Sequence, residues 1–93
     1  MLPVSWSAEA LTDLKQILGY IAERNPVAAD RLLAIAAETA ERLSEDPYLY
    51  RPGRVAGTRE AVAHPNYIIV YRVGSSVIDI LGVLHARQAY PPG

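Results

Sequence analysis

The sequence predicts an α+β domain in which a helical hairpin packs on one face of a small, mainly antiparallel twisted sheet, in the order β-α-α-β-β-β. Three observations carry that prediction. Apolar residues recur at three-and-four spacing through the first half, alternating runs divided by tight-turn sequences fill the second, and the two helical stretches meet with almost no chain between them. At 93 residues the chain is expected to form a single domain, 1–93, large enough for one two-layer core and too small for a second.

Leu2 to Trp6 alternates and reads as a first strand; Ser7 follows as an N-cap, with Glu9 in the first helical turn. The first helix is expected over about Ala8 to Glu23, with Leu11, Leu14, Ile17, Leu18 and Ile21 as its buried stripe. Asn25 and Pro26 supply an N-cap and a first helical position for a second, alanine-rich helix ending near Glu45, before Pro47. Its apolar face is Ala28, Leu32, Ile35, Ala36, Thr39 and Leu43. So short a connection requires an antiparallel hairpin.

Pro47 to Gly53, with two prolines and two tyrosines, reads as an irregular loop. Strands are expected at about Val55 to Ala63, Tyr67 to Val73 and Val77 to Leu84. His64-Pro65-Asn66 and Gly74-Ser75-Ser76 separate them, and turns this short impose an antiparallel meander. His85 to Gly93 is expected to be extended, or one helical turn at most.

Strict alternation puts Tyr67, Ile69, Tyr71 and Val73 on one face and Ile68, Val70 and Arg72 on the other; Val77, Asp79, Leu81 and Val83 likewise oppose Ile78, Ile80 and Leu84. Both faces are apolar. With helices on one side only, the pattern predicts an outer patch that a partner chain or the C-terminal tail must cover, unless strong twist lets the helices wrap both sides.

Composition excludes several classes of function. Cysteine is absent and only His64 and His85 offer imidazole, so neither a disulfide frame nor a metal site is expected. No apolar run approaches the roughly 18 to 20 residues of a membrane span, and no basic leader segment is evident, so a soluble, cytoplasmic protein is expected. A net charge of −1 hides an asymmetry of −4 over residues 1–46 against +3 over 47–93. All the cations of the second half are arginines, namely Arg51, Arg54, Arg59, Arg72 and Arg87, a composition suited to planar contacts with carboxylate or phosphate.

Gly53 to Glu60 is punctuated by glycine but lacks the spacing of a phosphate-binding loop; its glycines suit a bend at the entry to a strand, with Arg54 and Arg59 on the rim and Glu60 available for a cross-strand pair. His85 closes the last strand, where a side chain can point into a cleft. With a reference pKa near 6.5 an imidazole can exchange protons at neutral pH, Arg72 can stabilise a developing phosphorane, and Glu60 can serve as base. His64, ahead of Pro65, reads as a turn residue. There are six tyrosines and no phenylalanine, and Tyr48 and Tyr50 suit packing at a protein interface or stacking on bases.

Five motifs in order resemble the RelE/ParE superfamily of plasmid-stabilisation toxins, and the likeness runs over nearly the whole chain. They are Trp6-Ser7 with Asp13-Leu14; Tyr20-Ile21-Ala22 with Asn25-Pro26; Gly53-Arg54-Val55 with Gly57-Thr58-Arg59-Glu60; Tyr67 to Val73; and Leu84-His85-Ala86-Arg87-Gln88 with Pro91. The resemblance implies the toxin half of a type II toxin–antitoxin pair, neutralised by an antitoxin whose helix and extended tail wrap it, the complex repressing its own operon. Contact with operator DNA is then through the antitoxin, and no cofactor is required.

The superfamily has two activities. RelE-like members cleave mRNA on the ribosome without metal, and one branch uses a glutamate, an arginine and a histidine; by that likeness Glu60, Arg72 and His85 would be base, phosphate stabiliser and acid in forming a 2',3'-cyclic phosphate. Arg51, Arg54, Arg59, Arg87 and Tyr90 would contact RNA or another target. ParE-like members instead poison DNA gyrase without chemistry of their own, and the absence of lysine beside these arginines departs from the usual RelE site. The expectation drawn is mRNA cleavage, with gyrase poisoning as the alternative.

Overall fold

The computed structural model describes residues 1–88, 90 and 91. Strand β1 (Val4–Trp6) leads into helix α1 (Ala8–Ala22), whose first turn is closed where the Ser7 hydroxyl accepts the Ala10 N–H at 3.0 Å. Helix α2 (Pro26–Glu45) opens in the same way, with Asn25 Oδ1 accepting the Ala28 N–H at 3.1 Å and Pro26 in the first position. The hairpin is as expected. Ala10 and Leu14 of α1, and Leu32, Ala36 and Leu43 of α2, are buried, whereas Leu11, placed on the stripe by spacing, is exposed.

Four further strands follow: β2 (Arg51–Pro52), β3 (Arg59–His64), β4 (Tyr67–Val73) and β5 (Ile78–His85). Their order in the sheet is β1-β5-β4-β3-β2, with β1 parallel to β5 and every other pair antiparallel. Two details differ from the sequence reading. The loop after α2 contains a two-residue strand, β2, and β3 begins at Arg59 instead of Val55 because Gly53–Thr58 is a tight connection. There the Gly53 N–H donates to the Thr58 carbonyl at 2.7 Å, and Gly57 takes a φ of 81°. A Cβ on Gly53 would run into the Thr58 hydroxyl and backbone, so both glycines are required by the turn.

β4 keeps strict alternation and β5 does not. A bulge lies where Val70 pairs with Gly82 but Tyr71 with Ile80, leaving Leu81 over. Ile78, Ile80 and Val83 therefore all face the helices, in one core with Ile69, Tyr71, Ala61 and Leu43. Asp13 of α1 braces the irregular stretch, its Oδ2 accepting the Val83 N–H at 3.0 Å. Gly82 gives it room, since a Cβ there would stand 3.2 Å from that oxygen.

The outer face, expected to need cover from a partner chain or the C-terminal tail, is closed within the single chain. Ile68, Val70 and Leu84 point away from the helices, yet they are only 2%, 1% and 5% exposed within the single chain. Arg54, in the β2–β3 turn, reaches across to donate from Nη1 to the Gln88 carbonyl at 3.3 Å, and Tyr90 shares a cleft with Leu81, Gly82 and Leu84. Turn and tail thus meet across this face. The tail beyond Pro91, and Ala89, lie outside the described residues, so its expected extended course is described only in part.

Candidate functional site

Glu60 sits in β3, one strand in from the sheet edge, opposite Arg51 of β2 on one side and Val70 of β4 on the other. Its side chain is 1% exposed. An isolated carboxylate at such a position would be strongly disfavoured, and three donors compensate it. Oε1 takes Arg51 Nη2 at 3.2 Å and faces Arg54 Nε at 3.5 Å, while Oε2 accepts the Arg54 backbone N–H at 2.8 Å. Glu60 thereby fixes the β2–β3 turn onto the sheet. Its partners are Arg51 and Arg54, not the adjacent Arg59.

Arg72 lies on the same outer face, in the next row of β4, exposed and opposite Asp79. His85 is elsewhere. It pairs with Tyr67, five residues along β4 from Arg72, a separation of about 17 Å at roughly 3.3 Å per residue. Its Nδ1 accepts the Arg87 N–H at 3.1 Å, and its own N–H donates to Gln88 Oε1 at 3.3 Å. The structure thus brings Glu60 and Arg72 to one face of one end of the sheet and sets His85 at the other end.

The proposed contact residues divide as well. Arg51 and Arg54 join Glu60. Arg59 turns to the helical side, donating from Nη1 to the Tyr50 carbonyl at 2.7 Å with its guanidinium 4.9 Å from the Tyr48 ring centre. Arg87 is exposed in the turn after β5, and Tyr90 is half-buried near Leu84.

Sequence reading did not single out Tyr67 at the histidine end of the sheet. Tyr67 stands between two imidazoles, its ring centre 5.7 Å from that of His64 and 5.5 Å from that of His85. It forms a wall shared by two clefts. One, of about 500 Å³, runs along α1 past Asp13, Tyr20 and His85; the other, of about 360 Å³, passes Ile21, Leu32, Ile35 and His64 between the helices and the β3–β4 turn. The available signal was the aromatic at the head of a strand flanked by a histidine on each neighbour. Among the described residues no group of three His, Cys, Asp or Glu is placed to hold a metal ion, and no helix is long and apolar enough to cross a membrane.

Near the arginine end, Tyr71 is fully buried, and its hydroxyl donates to the Pro47 carbonyl at 2.6 Å. Burial raises its pKa to about 12, the Arg59 cation working against that rise and Tyr50 and Asp46 adding to it.

A helical hairpin on a five-stranded mixed sheet, with the first and last strands parallel, is the fold of the RelE/ParE toxins. The chain superposes on the Pseudomonas aeruginosa chromosomal ParDE system with a TM-score of 0.81 at 22% identity, over 91% of this chain and 96% of that one. On the Mycobacterium tuberculosis toxin–antitoxin complex RelBE2 the TM-score is 0.65 at 28% identity, over 90% and 96% of the two chains. Residues 4–90 match the model of the ParE toxins of type II toxin–antitoxin systems, and the chain belongs to that family. It is 42% identical over 89 residues to Y4kP of Sinorhizobium fredii, provisionally designated a toxin, with 95% of this chain and 92% of that protein covered. To the toxin RelE2 of Caulobacter vibrioides it is 36% identical over 90 residues, covering 95% of this chain and 99% of the relative. The protein is the toxin of a type II toxin–antitoxin system.

Proposed function

We propose that this toxin arrests growth by binding and poisoning DNA gyrase, not by cutting mRNA. The observation that carries this reading is the dispersal of the residues that cleavage would require. Glu60 is sealed and charge-compensated by two arginines, so it cannot reach a ribose hydroxyl, and the His85 imidazole stands at the far end of β4 from Arg72. General acid–base catalysis needs donor and acceptor within hydrogen-bond reach of one substrate. A toxin that acts by binding has no such requirement. The same reading includes neutralisation by a cognate antitoxin in the cytoplasm, supported by the toxin–antitoxin complex among the structural relatives, with operator DNA reached only through that complex.

The test is to induce the gene without its antitoxin and, in parallel, to incubate the purified chain with gyrase and supercoiled DNA. The expected result is accumulation of cleaved DNA and a DNA-damage response ahead of any fall in protein synthesis. The substitution His85→Asn, which removes the proton-exchanging imidazole but keeps a polar side chain for contact, should leave this activity within about twofold, since the group has no chemical step to perform. Prompt translation arrest with cut mRNA and an unaffected gyrase would overturn the reading. So would loss of toxicity in a His85→Asn variant that still folds and still binds its antitoxin.

A further inference from the structure

The electrostatics around Glu60 are not accounted for by the fold alone. A single buried carboxylate is neutralised by one guanidinium, and here two converge on the same oxygen, Oε1, from Arg51 and Arg54. Like charges do not gather without cause. The carboxylate behind them offsets their mutual repulsion and holds both planes in one orientation. Their other edges face solvent, the side chains being 56% and 35% exposed for Arg51 and Arg54. Arg54 uses Nη1 on the Gln88 carbonyl; among the described residues neither Arg51 Nε nor Arg51 Nη1 has a hydrogen-bond partner. Arg72, the next cation on this face, is exposed one row along and makes no ion pair among the described residues.

We infer that the Arg51–Arg54 pair, held from behind by Glu60, is a binding site for a phosphate of a nucleic-acid backbone, with Arg72 placed to meet a neighbouring phosphate. Paired guanidiniums present parallel N–H donors that match the oxygens of a phosphodiester, and pre-orientation by a buried carboxylate removes part of the entropic cost of assembling them. The site reads no bases; it positions. With a net charge of −1 the chain lacks the broad basic field of an autonomous DNA-binding protein, so one or two phosphate contacts give weak binding alone. Their effect is felt where another protein presents the nucleic acid. On the proposed reading that is the DNA held by gyrase, and to this extent the inference rests on it: the toxin would engage the enzyme–DNA complex in preference to free enzyme.

Two measurements on the full-length chain separate the inference from that reading. The first is fluorescence anisotropy with a labelled 20-base-pair duplex, and with a single-stranded RNA of the same length, between 50 and 200 mM salt. Weak binding is expected, its log–log salt slope between −1 and −2, for about one phosphate per unit of slope. Arg51→Gln should cut affinity by about tenfold and flatten the slope by about one. A double variant, Arg51→Gln with Glu60→Gln, removes both charges of one pair; it should fold, bind antitoxin and show the same loss. The second is toxin binding to gyrase with and without DNA, where DNA should tighten binding of the wild type more than of Arg51→Gln. Absence of salt-dependent binding by the wild type, or equal binding by Arg51→Gln, overturns the phosphate site whatever gyrase does. Displacement by millimolar inorganic phosphate with no measurable oligonucleotide binding overturns the backbone assignment in favour of a small phosphate. If both oligonucleotides bind as expected but gyrase is untouched, the site stands and the gyrase reading fails.

Discussion

The two ends of the β4–β5 hairpin use the same kinds of side chain for opposite purposes. At the end joined by β2, Glu60 is enclosed and has one set of partners, two guanidiniums and a backbone N–H, so its charge holds chain to chain. At the other end His64 and His85 lie on either side of Tyr67 along open clefts, and each imidazole Nδ1 accepts from the backbone two residues ahead, Asn66 or Arg87. Charge without solvent becomes structure; rings beside solvent remain available for contact. Residue type alone does not separate the two cases, whereas burial and partner count do.

The largest effect expected from this contrast is at Glu60. Replacing it with alanine leaves the Arg54 N–H without its acceptor and a gap beneath two guanidiniums that solvent can reach, a loss of about 2–3 kcal/mol. Urea unfolding monitored by circular dichroism reads that loss directly. A change below about 1 kcal/mol would show that the carboxylate does not hold the turn, and the contrast between the ends would disappear.

The chain order of the elements, the helical hairpin and the β4 boundaries were legible because each is written locally, in caps, in the three-and-four spacing and in turn residues. What was not legible depends on registers between distant segments. The bulge at Leu81 leaves no mark in the alternation of Val77 to Leu84, so sequence spacing set Val83 opposite to Ile80, whereas the bulge turns both toward the helices. Strand β2 was hidden because two residues, one of them proline, carry no periodicity. The closure of the outer face was legible only as an alternative, since the tail could be named as a cover but the reach of Arg54 across to Gln88 leaves no mark in the sequence. For the same reason Glu60 looked available for chemistry. Its two arginines lie six and nine positions upstream, across a turn whose closure the sequence showed only as glycines.

Tyr71 gives the next effect, again at the arginine end, and its sign follows from its raised pKa. The native state keeps the phenol protonated up to about 12, whereas the unfolded chain releases the proton near the ordinary value of 10. Its contribution is thus fully present below pH 10 and is lost as pH climbs from 10 toward 12. At the upper limit the loss approaches about 2.7 kcal/mol, two units at 1.36 kcal/mol each. Tyr71→Phe should remove this alkaline slope while lowering neutral-pH stability by about 1 kcal/mol for the bond to Pro47. An unchanged slope in the phenylalanine variant would assign the alkaline loss to another group.

Between the two ends, Asp13 tests whether the bulge needs its brace. Asp13→Ala leaves the Val83 N–H without its acceptor beside the irregular pairing, a loss of about 1–2 kcal/mol. Hydrogen exchange should quicken at Val83 and Leu84 with little change at Arg59 to Ala61, since only the first pair lies over the bulge. Uniform acceleration along the sheet would mean that the bulge is held by the strands themselves.

The smallest effect is expected at the histidine end. His85 is exposed, its ring meets Tyr67 edge-on, and the Arg87 N–H it accepts lies in a solvated turn where water can take its place. His85→Ala should therefore shift stability by no more than about 0.5 kcal/mol, the usual range for a surface substitution away from buried polar networks. The comparison is strongest when this variant is measured beside Glu60→Ala in the same urea series. A cost above about 1.5 kcal/mol at His85 would mean that the imidazole fixes the turn after β5 as firmly as Glu60 fixes the turn before β3. The Tyr67 clefts would then be packed structure, and a target-binding surface would have to be sought on the exposed Tyr48–Leu49 loop.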